Sequence, residues 1–396
     1  MKLGKISLMY FSNEDVRGGA EEHILALLRG LDRSYFHLSL VCTPVMAKRL
    51  AQDMPADVEV FPLSLRMPTQ LTSMLQLATL IRRNRVDVLH SHLFYASLFA
   101  SPIAWLCRVP VIIETPHVRE AWRHGWRSSY LVDRIIASTV DRYIAVSRAN
   151  ARYLVEEKRI RPEKITIIRN GCDVTRFHPF HVVPAGMKES LGFCSSDPVL
   201  AIIGRLEPQK GHRILLEALQ IVRAEFPQVR LVCVGEGSLR PEFETYVLAA
   251  GLQDAVRFVG FRGNVEDWLA LADLTILPSF FEGLPIIAIE SLATARAVVA
   301  TAVDGTPEIV LDGRTGLTVA PGDASELANA IQRLLRDPEL SRTLGENGRQ
   351  LVTEHFDVRK QVQQTQSLYL QALEFVDAFD TRGGEVGLRG AHGCNT

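Results

Sequence analysis

The sequence predicts an α/β protein built from two doubly wound, Rossmann-like parallel-sheet domains. Three observations predict it. At 396 residues the chain exceeds what one ordinary core organises, so two domains are expected. Short apolar runs rich in β-branched residues alternate with longer amphipathic stretches, the pattern of a parallel sheet covered by helices. That alternation lapses once, near Arg176–Asp197, into Pro, Gly, Ser and His, then resumes as a second complete series. The lapse reads as an interdomain linker.

In the first series the strand candidates are Ile6–Tyr10, Leu38–Cys42, Val58–Phe61, Val86–His90, Val111–Glu114, Tyr143–Val146 and Ile165–Ile168. Amphipathic stretches place helices at Ala20–Leu31, Thr69–Asn84, Ala96–Cys107 and Ser128–Val140. The second series has strands at Val199–Ile203, Arg230–Val234, Val256–Val259, Leu274–Leu277, Ala297–Ala300 and Thr315–Val319. Its helices fall at His212–Glu225, Arg240–Ala250, Val265–Leu271, Pro285–Thr294 and Ala324–Asp337. A further amphipathic stretch, Val358–Ala378, has no strand behind it. The expected domains are therefore 1–180 and 181–357, followed by a helix over 358–380 and a tail over 381–396. The tail holds five glycines and no periodicity, and is expected to be disordered.

Composition excludes several classes. The chain is 47% hydrophobic, yet its longest apolar stretch, around Tyr95–Cys107, is broken by Pro102 and closed by Arg108, so no membrane span is expected. The first ten residues read as a strand and lack the apolar region and cleavage site of a signal peptide. Six scattered cysteines, none in a C-x-x-C pair, read as reduced thiols of a cytoplasmic protein. The net charge of −1 conceals an asymmetry: residues 1–180 carry 25 Lys and Arg against 17 Asp and Glu, and the remainder 19 against 28. The basic half has no stripe interleaved with aromatics, so nucleic acid is not an expected partner. An anionic membrane face or a phosphate-bearing acceptor suits it better.

Chemistry concentrates in the second half. Residues 203–211 read I-G-R-L-E-P-Q-K-G and place Arg205 and Lys210 where a buried strand ends, the edge at which open α/β sheets bind ligands. An arginine makes forked contacts to phosphate and a lysine adds a mobile point charge. Residues 279–291 read S-F-F-E-G-L-P-I-I-A-I-E-S. Pro285 suits a first helical turn, which leaves Glu282 on the loop and Glu290 in about the second turn. Glu290 interrupts an otherwise apolar helix, where a carboxylate is costly unless it accepts hydrogen bonds, and vicinal ribose hydroxyls are suitable donors. Two fixed cations, a turn opening a helix and these carboxylates together point to a nucleotide-sugar enzyme.

Other motifs are weaker. V-G-E-G-S-L-R at 234–240 lacks the third glycine of a dinucleotide fingerprint, because that position is Arg240, and it reads as a turn at a strand end. Gly18 and Gly19, in R-G-G-A-E, open a helix after the first strand; they let a ligand approach the backbone or serve as a flexible turn. His117 ends a strand, where histidines face clefts, although a lone histidine is more often structural. His90 and His92 have H-x-H spacing without a carboxylate ligand, so no metal site is expected.

In order and spacing, G-R-L-E-P-Q-K-G, V-G-E-G and S-F-F-E-G-L-P-I-I-A-I-E resemble the retaining family-4 glycosyltransferases. G-G-A-E at 18–21, V-S-R-A at 146–149 and R-N-G-C-D at 169–173 extend the resemblance over roughly residues 5–355. The resemblance implies the GT-B fold, with two Rossmann-like domains facing across a cleft and the C-terminal helix crossing back to the first domain. By the same resemblance Arg205 and Lys210 bind the donor diphosphate, Glu290 holds the ribose hydroxyls and Glu282 contacts the donor sugar. The amides of Gly283 and Leu284 would face the sugar or phosphates, Gly18 and Gly19 would line the opposite wall, and His117 would stand near the reacting sugar. The base would lean on the Gly260-Phe261-Arg262 loop. No metal or cofactor is implied, because the two cations take the place of a divalent ion. Cys172 departs from the Val or Ile often found in this segment, a neutral packing change.

The implied function is transfer of a sugar from a nucleotide-diphosphate-sugar donor to a saccharide or lipid-linked acceptor in cell-surface polysaccharide or lipopolysaccharide assembly. A nucleotide-sugar epimerase or hydrolase on the same fold, or an inactive scaffold, are the alternatives. A nicotinamide dehydrogenase is denied by Arg240. Trp122 and Trp126, a short local pairing with Arg119, Arg123 and Arg127 at about a helical turn, either line the acceptor side or give reversible contact with an anionic membrane.

Overall fold

The computed structural model describes residues 4–67, 69–119 and 130–380, and both expected strand series form. The first series gives β1 (Ile6–Phe11), β2 (Phe36–Cys42), β3 (Glu59–Pro62), β4 (Val88–His92), β5 (Val111–Thr115), β6 (Arg142–Ala145) and β7 (Ile165–Ile167). All pair in parallel in the order β3-β2-β1-β4-β5-β6-β7. Helices α1 (Gly19–Gly30), α2 (Pro44–Leu50), α3 (Leu71–Arg83), α4 (Phe94–Leu106), α5 (Tyr130–Thr139) and α6 (Arg148–Glu156) connect the strands. Fully buried Met9, Phe11, Val41, Leu89 and Ile112 form the core of this unit with Leu77, Ala100 and Leu154 from the helices.

The strand expected at Val86–His90 starts two residues later. Val86 N–H is still tied to the Ile81 carbonyl at the end of α3, and Asp87 supplies the junction, its carboxylate accepting Ser7 N–H at 3.0 Å. The shift brings His90 and His92 both inside β4, on one face of the strand.

The second series gives α7 (Met187–Ser190), β8 (Val199–Ile203), α8 (His212–Glu225), β9 (Arg230–Val234), α9 (Arg240–Ala249), β10 (Val256–Gly260) and α10 (Val265–Leu271). It continues with β11 (Leu274–Leu277), α11 (Ile286–Ala293), β12 (Ala297–Thr301), β13 (Gly316–Val319), α12 (Ala324–Arg336), α13 (Pro338–His355) and α14 (Val358–Asp380). Its sheet order, β10-β9-β8-β11-β12-β13, repeats the first sheet's logic: a central strand, a walk to one edge, then a reversal to the other side. Each sheet therefore has a topological switch point, between β1 and β4 in one and β8 and β11 in the other.

The expected boundary at 180/181 and the linker at Arg176–Asp197 need correction. The chain divides between Ile168 and Arg169: one unit runs to Ile168 and includes the chain from Val362 onward, and the other is Arg169–Gln361. Asn170 Nδ2 donates to the Leu284 carbonyl at 2.8 Å, Arg176 pairs with Glu266 at 2.6 Å, and Arg349 reaches the Phe177 carbonyl at 2.8 Å. Phe193 is buried against Val199 and Trp268, with Met187 and Leu191 beside it. Low periodicity there reflects irregular backbone packed on a sheet, not a free tether.

Helix α14 begins in the second unit, where Val358 N–H donates to the Cys172 carbonyl at 2.9 Å. From Val362 it belongs to the first, where Tyr369 is fully buried and its hydroxyl lies 3.0 Å from that of Tyr10 and 2.6 Å from His90 Nδ1. Helix α13 has no counterpart among the expected elements. Gly345 and Gly348 lower its helical propensity, yet a Cβ on either would meet the Ala295 carbonyl or the Leu292 side chain at 2.1 and 2.4 Å. Close packing on α11 and on the turn that follows it requires them. The tail over 381–396 and the segment holding Trp122 and Trp126 lie outside the described residues. Among the described residues, no helix is long and apolar enough to cross a membrane.

Candidate functional site

At the switch point of the second sheet, the loops after β8 and β11 are joined to one another. Gly211, left-handed at φ +66°, caps α8, and a Cβ there would fall 2.0 Å from the Pro278 carbonyl. That close approach lets Phe280 N–H donate to the Gln209 carbonyl at 2.8 Å and Gln209 Nε2 to the Phe281 carbonyl at 2.9 Å. Arg205 donates to Gln209 Oε1 at 3.3 Å. Lys210 Nζ then lies 2.5 Å from Glu282 Oε1, which also accepts Ser279 Oγ–H at 2.8 Å. Arg205, Lys210 and Glu282, distant in sequence, thus converge beyond the carboxyl ends of two adjacent strands.

The V-G-E-G turn supports this arrangement. Gly235, at φ +141°, and Gly237 pack so closely on the Gly204–Leu206 backbone that a Cβ on either would come within 2.0 or 2.3 Å of a carbonyl. Leu206 N–H donates to the Glu236 carbonyl at 3.0 Å. The turn is a clamp on the Arg205 loop.

Glu282 is 5% exposed, and its ion pair with Lys210 whose side chain is 20% exposed leaves the lysine with further N–H donors. Glu290 is half-exposed in the second turn of α11, whose first residue follows Pro285. Gly283 and Leu284 are buried in the turn before α11, and Phe261 is 41% exposed just after β10. Sequence reasoning missed Asp304. Its backbone is left-handed at φ +43°, and its carboxylate accepts Glu282 N–H at 2.8 Å. Only the fold brings the loop after β12 to Glu282, so no local signal marks it.

The switch point of the first sheet has different chemistry. Gly18 caps α1 in an extended conformation, and a Cβ there would meet only Glu21 Oε2, at 3.8 Å. Glycine is not required by φ there; it leaves the backbone open. Glu21 Oε2 accepts Gly18 N–H at 3.0 Å, and Oε1 accepts Ser12 Oγ–H at 3.2 Å. Burial raises the Glu21 carboxyl to about 7, against those hydrogen bonds and with Glu14 adding to the rise.

His117 follows β5 and is buried beside His92, with His117 Nε2 at 2.9 Å from His92 Nδ1. His23, in α1, closes the group edge-on, its ring centroid 4.8 Å from that of His117. Burial first, then neighbouring imidazoles, hold His92 and His117 well below the usual histidine range, so both are neutral near pH 7. His90 belongs to another network, with Nε2 at 2.7 Å from Thr115 Oγ1 and Nδ1 on Tyr369. The H-x-H pair is therefore split between two roles, and His23 replaces His90. The signal for His23 was its place early in the helix that follows β1.

Comparison with known proteins places the chain in a family and a fold class. The family description Glycosyltransferase Family 4 matches residues 17–176, and Glycosyl transferases group 1 matches residues 197–337. Glycogen synthase of Mycobacterium tuberculosis is 31% identical over 298 residues, 73% of this chain and 69% of that protein. The Escherichia coli UDP-Gal:alpha-D-GlcNAc-diphosphoundecaprenol alpha-1,3-galactosyltransferase is 25% identical over 308 residues, covering 76% and 79%. The crystal structure of Anabaena HepE with UDP and glucose superposes with a TM-score of 0.81 at 22% identity, over 92% of this chain and all of that one. The two parallel α/β units are those of the GT-B fold.

Proposed function

Because the chain belongs to the family-4, group 1 glycosyltransferases, we propose that it is a retaining hexosyltransferase that uses a nucleoside-diphosphate sugar and delivers the sugar to a saccharide or lipid-linked acceptor. The observation that carries this reading is the convergence of Arg205, Lys210 and Glu282 at the β8–β11 switch point. Arg205 and Lys210 bind the diphosphate and stabilise it as it leaves, through charges already in place before reaction. No bound metal is needed for that step in this reading. Glu282 and the Gly283 and Leu284 amides contact the donor sugar, Glu290 the ribose hydroxyls and Phe261 the base. Gly18 and Gly19 leave room for the donor at the first sheet. His117, being neutral, serves there as a hydrogen-bond partner of the sugar, not as a fixed cation.

Departure of the nucleoside diphosphate and attack by the acceptor hydroxyl on the same face of the anomeric carbon, its proton leaving with the phosphate, would retain configuration through an ion-pair-like transition state. Cell-surface polysaccharide or lipopolysaccharide assembly fits the relative whose acceptor is a diphosphoundecaprenol-linked sugar. A lipid-linked acceptor is also consistent with reversible contact between the basic first half and an anionic membrane, testable by salt-dependent vesicle co-sedimentation.

A screen of nucleoside-diphosphate sugars tests the reaction, followed by mass and anomeric NMR analysis of the product. Nucleoside diphosphate release that depends on acceptor, survives chelator and accompanies a product with the donor's anomeric configuration is expected. Release independent of every acceptor would point to a hydrolase, and an inverted product would overturn retention.

A further inference from the structure

The three buried histidines at the first switch point have a property that sugar transfer does not use. His23 from α1, His92 from the end of β4 and His117 from after β5 each place a ring nitrogen within 4.8 Å of the others. All three are buried, at 1%, 0% and 7% exposure. Among the described residues, no carboxylate belongs to the group. His92 Nε2 is buried with no hydrogen-bond partner among the described residues.

We propose that His23, His92 and His117 form a binding site for a first-row transition ion such as Zn²⁺. Three imidazoles with a fourth position left open are a recognised zinc ligand set, and the uncharged ring is the form that binds metal. Zn–N distances of about 2.0–2.1 Å place ligand nitrogens about 3.3 Å apart, so the His92–His117 pair at 2.9 Å opens slightly while wider separations in the group, up to 4.8 Å, close by on the order of an ångström. The His92–His117 hydrogen bond is the contact exchanged for the ion. His117, the most exposed of the three, marks the way in. Resting on the function proposed above, an occupied site withdraws His117 from the sugar, so the ion inhibits transfer instead of driving it.

The test uses untagged full-length protein, stripped with chelator and titrated with Co²⁺. One equivalent should give the intense visible absorption of a tetrahedral nitrogen site, and Zn²⁺ should abolish it by displacement. His23→Gln, which preserves volume, and His92→Ala should each weaken Co²⁺ binding by about tenfold or more. Circular dichroism and melting of each variant report whether it remains folded. Absence of the cobalt spectrum in wild type overturns the site, as does unchanged affinity in a folded His23→Gln variant. Transfer measured in parallel should fall with Zn²⁺ and recover with chelator. Stoichiometric binding that leaves transfer unchanged would contradict the place given to His117 at the sugar, while the cobalt spectrum would still establish the ion site.

Discussion

The two switch points share a topology and differ in chemistry. Each lies between a central strand and the strand at which the sheet order reverses, β1 and β4 in one unit, β8 and β11 in the other. In the second unit the loops there carry Arg205, Lys210 and Glu282, held by an ion pair at 2.5 Å and a ladder of loop hydrogen bonds. In the first unit the corresponding place holds neutral imidazoles and a carboxyl raised to about 7. The comparison teaches that strand order decides where a ligand meets an α/β sheet, whereas side-chain charge and hydration decide what the ligand is. Fixed charge suits a diphosphate; a dry, uncharged surface suits a sugar whose bond is breaking.

Substitutions break that comparison from its charged side first. Lys210→Ala has the largest expected effect, because it removes a cation proposed to hold the diphosphate and strands Glu282, whose side chain is only 6% exposed. It should lose about 2–4 kcal/mol of transition-state stabilisation in kcat/KM. Its denaturation midpoint should fall as well, since a buried carboxylate without its partner is costly. Arg205→Ala should lose a similar 2–4 kcal/mol in kcat/KM without the melting penalty, because Arg205 donates to the neutral Gln209 side chain at 3.3 Å and strands no charge when removed. Glu282→Ala should cripple turnover while the protein remains folded; near-normal transfer by the purified variant would refute its role at the sugar.

The uncharged side gives smaller, pH-dependent effects. Glu21 has a folded value of about 7 against an ordinary 4.5, so the native state binds the extra proton. Its contribution is complete below about pH 4.5 and is lost as pH rises through about 7. Wild type should therefore lose on the order of 3 kcal/mol relative to Glu21→Gln over that window, measured by denaturant unfolding at several pH values. A difference independent of pH would remove Glu21 from the account. Tyr369→Phe is the mildest change: losing the hydroxyl shared with Tyr10 and His90 should cost about 1–2 kcal/mol of stability.

Much of the fold was legible in the sequence because both sheets are parallel and buried, so each strand is a compact apolar run bounded by polar loops. Arg205, Lys210, Glu282 and Glu290 were legible for the same reason: they interrupt or terminate such runs. What escaped depended on tertiary contact. Asp304 matters through one hydrogen bond to Glu282 N–H, and nothing in T-A-V-D-G-T-P announces it. Helix α13 was hidden by glycines that α11 packs against. The Arg176–Asp197 stretch looked like a tether because irregular backbone packed on a sheet shows no period. His23 joined His92 and His117 only once α1 was laid beside β4 and β5.

The central claim, that anion binding belongs to the second unit's charges and not to the first unit's histidines, is tested most directly by calorimetry with the nucleoside diphosphate of the preferred donor. Wild type, Arg205→Ala and His117→Ala should be compared at neutral pH in chelator. The account predicts that Arg205→Ala weakens binding by about one to two orders of magnitude, as expected for losing a charge-assisted contact. His117→Ala should keep near-wild-type affinity while losing transfer. Equal weakening by both variants, or undiminished binding by Arg205→Ala, would contradict it.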